Sequence, residues 1–133
     1  MARKKVVIPS SMESTRVIEK TLLELVRQEA YSEAAVFAIR LAVEEAVINA
    51  IKHGNKSDVS KNVIVEMDVD ARRAKICVTD HGEGFDPSKV PDPTIADNLE
   101  KPSGRGLMLM RAYMDEVHFT PKGERVCLIK QKR

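Results

Sequence analysis

The chain has 133 residues, 43% of them apolar and 32% charged, with a net charge of +2. That length supports one domain, residues 1–133, with a hydrophobic core, and the interspersed acids and bases give no support to a nucleic-acid binder. No run of about eighteen apolar residues predicts a membrane span, and the N-terminus lacks the apolar stretch of a signal peptide. Cys77 and Cys127 are the only cysteines. Both fall in strand-like runs and are expected as buried reduced thiols rather than a disulfide. With three scattered histidines they form no zinc pattern. A cytoplasmic protein is expected. The basic ends "ARKK" and "KQKR" read as solvated termini.

In chain order, "KKVVIP" predicts a strand stopped by Pro9, and Ser10 with Glu13 fits a capping box. Ile18, Leu22, Leu25 and Val26 then repeat at helical spacing. "AYSEA" breaks the pattern, with Ser32 as the next N-cap. A second helix is predicted from about Glu33 to Lys52; it is alanine-rich, apolar almost all round, and so largely buried. Gly54 reads as its C-cap, and "HGNKSD" as a turn. "NVIVEMDVD" puts Val63, Val65, Met67 and Val69 on one strand face, and "RRAKICVTD" returns as the other arm of a hairpin. Residues 81 to 103 form a long irregular connection, which inside a compact domain points to function or mobility. "GRGLMLMRAYMDE" resumes a helix, and "VHFT" and "ERVCLIKQ" close the chain as a hairpin around "PKGE". The order β-α-α-β-β-loop-α-β-β predicts an α+β fold, with helices covering one face of a mostly antiparallel sheet.

Three stretches carry candidate chemistry. In "LAVEEAVINAIKHGN", Glu45 and Asn49 share one helix face, while Val36, Val43 and Val47 lie roughly opposite and should meet the core. Such a pair is either an exposed polar stripe or a magnesium site. An Asn oxygen is a hard neutral ligand for magnesium, and a neighbouring carboxylate can take a proton from an attacking hydroxyl or water. Glu44, about 100° away, should not participate. In "DHGEGFD", Asp80 ends a strand, so its carboxylate is held where it can accept a hydrogen bond from an amino group. Gly82 and Gly84 allow close backbone approach to a flat ligand, although glycine turns are common. In "SGRGLMLM", Gly104 and Gly106 precede a helix whose free N–H groups suit phosphate, with Arg105 adding a cation. The plainer reading there is a loop capped by Ser103. The methionines Met108, Met110 and Met114 read as core packing, and His53 as a helix-end histidine.

The common nucleotide motifs are absent. There is no GxxxxGK[ST], and Pro87 and Leu109 stand where a dinucleotide fingerprint needs its third glycine. Taken in order, however, "EEAVINAIKHGN", "DHGEGFD" and "GRGL" resemble the N, G1 and G2 boxes of the GHKL ATPase superfamily. The helix-two stretch is similar to the anti-sigma-factor serine kinases of the RsbW and SpoIIAB family. The resemblance covers about residues 12 to 131. It implies a Bergerat fold, a two-layer α/β sandwich with ATP held between helices under a lid, here the short proline-rich segment 86–103. It implies ATP and Mg2+ as cofactors, with Asn49 as the metal ligand and Glu45 as the catalytic acid that activates the hydroxyl. It also implies Asp80 on the adenine with Gly82 and Gly84 beside it, and Gly104 and Gly106 on the phosphates. By the same resemblance the γ-phosphate passes to a serine of a STAS-domain anti-anti-sigma protein, and the chain binds a sigma factor, as a homodimer. The alternative is a non-catalytic regulator that binds a partner in an ATP-dependent way; Glu45 counts against it, because binding alone needs no such acid.

Overall fold

A computed structural model describes residues 2–81 and 102–132. Strand β1 (Ala2–Pro9) leads through a single 3-10 turn (Met12–Ser14) into α1 (Thr15–Gln28) and α2 (Glu33–Asn49). The hairpin of β2 (Asn62–Val69) and β3 (Arg73–Thr79) follows, then α3 (Pro102–Tyr113), β4 (Glu116–Phe119) and β5 (Arg125–Gln131). The five strands form one sheet in the order β1-β2-β3-β5-β4, every neighbouring pair antiparallel. The α+β class and the antiparallel sheet are as the sequence pattern predicts. No helix among the described residues is long and apolar enough to cross a membrane.

The period-two alternation in β2 buries Val63, Val65, Met67 and Val69. Opposite them β3 and β5 contribute Ala74, Ile76, Val78, Val126 and Leu128. The helices cover this face with Ile18, Leu22, Leu25 and Val26 from α1, and with the buried alanines and valines of α2, including Val36, Val43 and Val47. Met110 of α3 and Met114, just past its end, are buried in the same core, while Met108 is exposed. Fully burying an aliphatic side chain stabilises by about 1.5–3 kcal/mol, so this one apolar layer holds the helices on the sheet. The other sheet face mixes charged residues with Val7, Ile64 and Ile129, and is crossed by ion pairs Arg3–Asp68 at 3.2 Å and Arg125–Glu66 at 3.5 Å.

The joints are specified locally. Ser32 caps α2 by accepting the Ala35 N–H at 3.1 Å, as expected. Helix α1 ends in a Schellman pattern, Tyr31 N–H to Val26 O and Ala30 N–H to Arg27 O. The left-handed position falls on Ala30, at φ 56, where glycine is usual. The Tyr31 hydroxyl donates to Asp70 O at 2.8 Å, tying that joint to the β2–β3 turn. Burial, with Asp70 and Glu29 nearby, pushes the phenol up to about 12. Asp70 in turn accepts the N–H groups of Arg73 and Arg72, which hold its carboxyl below the usual range.

Two expectations are corrected. Ser10 is not a helix cap: its hydroxyl donates to Lys61 O at 2.6 Å, and the chain enters α1 through the 3-10 turn instead. Cys77 and Cys127 are not separate thiols but a disulfide. They stand directly opposite in β3 and β5 with Cα atoms 4.1 Å apart, the close spacing of a pair without hydrogen bonds between its residues. Their separation of 50 residues gives no hint of that register in the sequence. The disulfide also removes one ground for the cytoplasmic expectation. Closing a loop of that length constrains the unfolded chain, so reduction should lower unfolding free energy by about 2–4 kcal/mol. Urea unfolding with and without reductant measures this, and a Cys77→Ser, Cys127→Ser variant should be insensitive to reductant.

Candidate functional site

Glu45 and Asn49 lie one turn apart on α2, both half-buried, while Glu44 is exposed. They face α3 at Gly106. A Cβ on Gly106 would sit 2.9 Å from Asn49 Nδ2 and 3.1 Å from Glu45 Oε2. A side chain there would require the Asn49 and Glu45 side chains to shift, so Gly106 lets the backbone of α3 come against the acid and the amide as they stand. Asn49 Oδ1 is buried and has no hydrogen-bond partner among the described residues. An unsatisfied buried acceptor costs about 1–3 kcal/mol. A hard cation that needs only one or two protein oxygens would satisfy it. Among the described residues no three His, Cys, Asp or Glu side chains gather as a metal cage, so any metal here would take most of its ligands from elsewhere.

Beyond Asn49 the helix widens. Residues Ala50–Gly54 form a π-helical turn, closed by Asn55 N–H to Ala50 O at 2.8 Å. Such turns often accompany functional sites because they re-aim the residues that follow. Here the turn delivers Gly54 to the end of β3. A Cβ on Gly54 would fall 2.8 Å from Asp80 Oδ1 and closer still to the rest of that carboxylate. Gly54 is therefore explained by close approach and not by its expected C-cap geometry; the left-handed residues are Lys56 and Ser57. Asp80 is 9% exposed, and its N–H donates to Glu124 O at 2.9 Å, so the strand pairing holds it to its last residue.

Asn55 is a site-building residue that sequence reasoning left as part of a turn. It is 1% exposed, and its whole amide is used. Nδ2 donates to Ser10 Oγ at 2.9 Å and to Asn62 O at 3.0 Å, and Oδ1 accepts the His81 N–H at 2.8 Å. One side chain thus ties the end of β1, the start of β2 and the residue after Asp80 to the exit of α2. An Asn in a turn is ordinary, so the sequence holds no sharp signal of this role. His53 and His81 are exposed.

Helix α3 begins at Pro102, whose fixed φ suits the first helical position. Gly104 and Gly106 therefore lie inside the helix rather than ahead of it, and Ser103 is within the first turn and not a cap. Gly82, Gly84 and residues 86–101 of the expected lid 86–103 lie outside the described residues, as does the Arg105 side chain, while residues 102 and 103 belong to α3. The structure thus brings Glu45, Asn49 and Gly106 together, and sets Asp80 against Gly54, five residues beyond Asn49.

Residues 8–130 match the model of the histidine kinase-like ATPase domain. The serine-protein kinase RsbW of Bacillus licheniformis is 33% identical over 117 residues, covering 82% of this chain and 72% of the relative. RsbW of Bacillus subtilis is 30% identical over 118 residues, covering 83% and 72%. The anti-sigma F factor of Anoxybacillus flavithermus is 36% identical over 98 residues, covering 69% and 66%. A crystal structure of RsbU and RsbW domains from Mycobacterium tuberculosis shares the fold. Its TM-score is 0.68 at 16% identity, covering 100% of this chain and 32% of that one. The chain belongs to the histidine kinase-like ATPase domain family, alongside the RsbW serine-protein kinases and anti-sigma F factors.

Proposed function

We propose that this protein is an ATP-dependent serine-protein kinase that acts as an anti-sigma factor. The observation that carries the site is the buried, unpartnered Asn49 Oδ1, one helical turn from Glu45 and packed on Gly106. In this reading the adenine amino group donates to the Asp80 carboxylate. Asn49 Oδ1 would hold Mg2+, which would supply charge neutralisation for the phosphates. The N-terminal part of α3, with Gly104, Arg105 and Gly106, lies along the phosphates, and Gly82 and Gly84 border the base.

Glu45 accepts the proton of the attacking serine hydroxyl, the serine oxygen bonds to the γ-phosphorus, and ADP leaves. Catalysis of this kind is mainly positioning and charge stabilisation, which suits a site built on a buried helix and a fixed strand end. The relatives' names, serine-protein kinase and anti-sigma F factor, support the activity. The phosphoacceptor in this proposal is a STAS-domain anti-anti-sigma protein, and the second partner is a sigma factor. A homodimer, a cytoplasmic setting and a single domain over residues 1–133 belong to the same proposal.

Two substitutions test it. Glu45→Gln keeps the shape of the side chain but cannot take the proton. It should bind ATP as the wild type does, while phosphotransfer to a STAS protein falls by about 10²–10⁴-fold. Radiolabelled transfer alongside calorimetric ATP binding reads both, and undiminished transfer would remove Glu45 as the base. Asn49→Ala removes the metal oxygen. The wild type should bind ATP at least about tenfold more tightly with magnesium than without it, and the variant should lose that difference. An unchanged magnesium dependence would exclude Asn49 as the ligand.

A further inference from the structure

The Cys77–Cys127 disulfide lies on the sheet face that the helices leave open. Ile76, Val78, Val126 and Leu128 belong to the core, and side chains alternate along a strand, so both cysteines point the other way. Directly paired residues share a face, and one row crosses the sheet there: Lys5, Glu66, Cys77, Cys127 and His118. The two sulfurs are not equally covered. Cys77 is 3% exposed, in the central strand β3. The ion pair of Arg125 with Glu66 reaches across that strand from β5 to β2. Cys127 is half-buried, and its other neighbour is the short edge strand β4. His118 there is exposed, with Nε2 bonded to Glu116 at 2.9 Å.

Opening the bond needs no unfolding. Backbone pairing from Arg73–Gln131 to Thr79–Arg125 holds β3 to β5 whether or not the sulfurs are joined. The Cα spacing of 4.1 Å belongs to that pairing, so the reduced thiols stay opposite each other and reclosure is intramolecular. Lys75 stands two residues from Cys77 on the same face, and Arg125 two residues from Cys127. Cations beside a cysteine favour its thiolate, the form that attacks and leaves in exchange.

We propose that Cys77 and Cys127 form a thiol-exchange site, a reversible dithiol switch entered at Cys127. The thiolate of a small-molecule thiol bonds to the Cys127 sulfur, and the bond from Cys127 to Cys77 breaks. Cys77 leaves as a thiolate and takes a proton from water. A second small thiolate bonds to the small-molecule sulfur of the mixed disulfide, and Cys127 leaves in the same way. Two thiols are thereby oxidised to one disulfide, and the protein pair gains two electrons and two protons. A small-molecule disulfide drives the reverse. Asp80 and α3 lie between the two cysteines, so the exchange joins or frees the ends of the segment that carries them.

Glutathione is the probe, applied to the whole chain in native buffer. The oxidised protein should open in proportion to glutathione, at a rate that stays flat in urea below the unfolding transition. A rate that climbs with urea in step with unfolding means that only the unfolded chain is reached, and overturns the switch. Acid quenching and peptide mass spectrometry should place the mixed disulfide on Cys127; a mixed disulfide on Cys77 overturns entry at Cys127. With oxidised glutathione, Cys127 in a Cys77→Ser variant should be modified at least about tenfold faster than Cys77 in a Cys127→Ser variant. Equal rates in two folded variants also overturn that entry. If either variant does not fold, the urea dependence and the peptide map of the wild type decide.

Discussion

The site depends on how α2 leaves its helical course. At Asn49 the regular helix stops, and the π turn of Ala50–Gly54 carries the chain to the ends of the strands. Asn55 then fixes it there through three hydrogen bonds from one buried amide. In a low-dielectric interior such a fully used amide is held strongly, because breaking any bond leaves a polar group unsatisfied. Without this clamp, Asp80 and the helix face of Glu45 and Asn49 would belong to two elements joined only by general core packing. With it, they share one frame.

Two glycines set the spacing inside that frame. Gly54 lets the helix exit touch the Asp80 carboxylate, and Gly106 lets α3 lie on Asn49 and Glu45. Neither position uses a left-handed backbone; a Cβ at Gly54 would collide with the Asp80 carboxylate, and one at Gly106 would push on the Asn49 and Glu45 side chains. Glycine inside a helix costs about 1 kcal/mol relative to alanine, so α3 gives up helical stability at Gly104 and Gly106. The same arrangement leaves Asn49 Oδ1 buried without a partner. These are local costs at the site, set against a core of well-packed aliphatic side chains.

Much of this was legible in the sequence. The alternation in β2 and the spacing in α1 announce their buried faces directly, and the order of elements leads to the α+β sheet. Glu45 and Asn49 could be paired because four residues bring side chains to one helix face, and Asp80 because it ends a strand. What stayed hidden depends on contacts distant in sequence. The Cys77–Cys127 disulfide follows from strand register, which composition does not specify. Ser10 looked like a cap because local spacing fits one, yet its hydroxyl serves residues 45 and 51 positions away. Gly54 was assigned to the right place for a different reason. Asn55 could not be found at all from a turn-like "HGN", since its partners come from the far ends of three other segments. Pro102 was passed over as part of a loop, although a proline at the first helical position is a known start.

In the proposed function, the residues from Asn49 to Asp80 hold a nucleotide by its base and its phosphates. The most direct measurement is ATP affinity in the presence of magnesium for the wild type and for Asp80→Asn, with unfolding followed in parallel. The substitution keeps the side chain's size and removes its charge. The proposed site requires tight binding by the wild type, a loss of about tenfold or more in the variant, and little change in stability. Equal affinity in a folded variant would contradict it and return the end of β3 to a structural role.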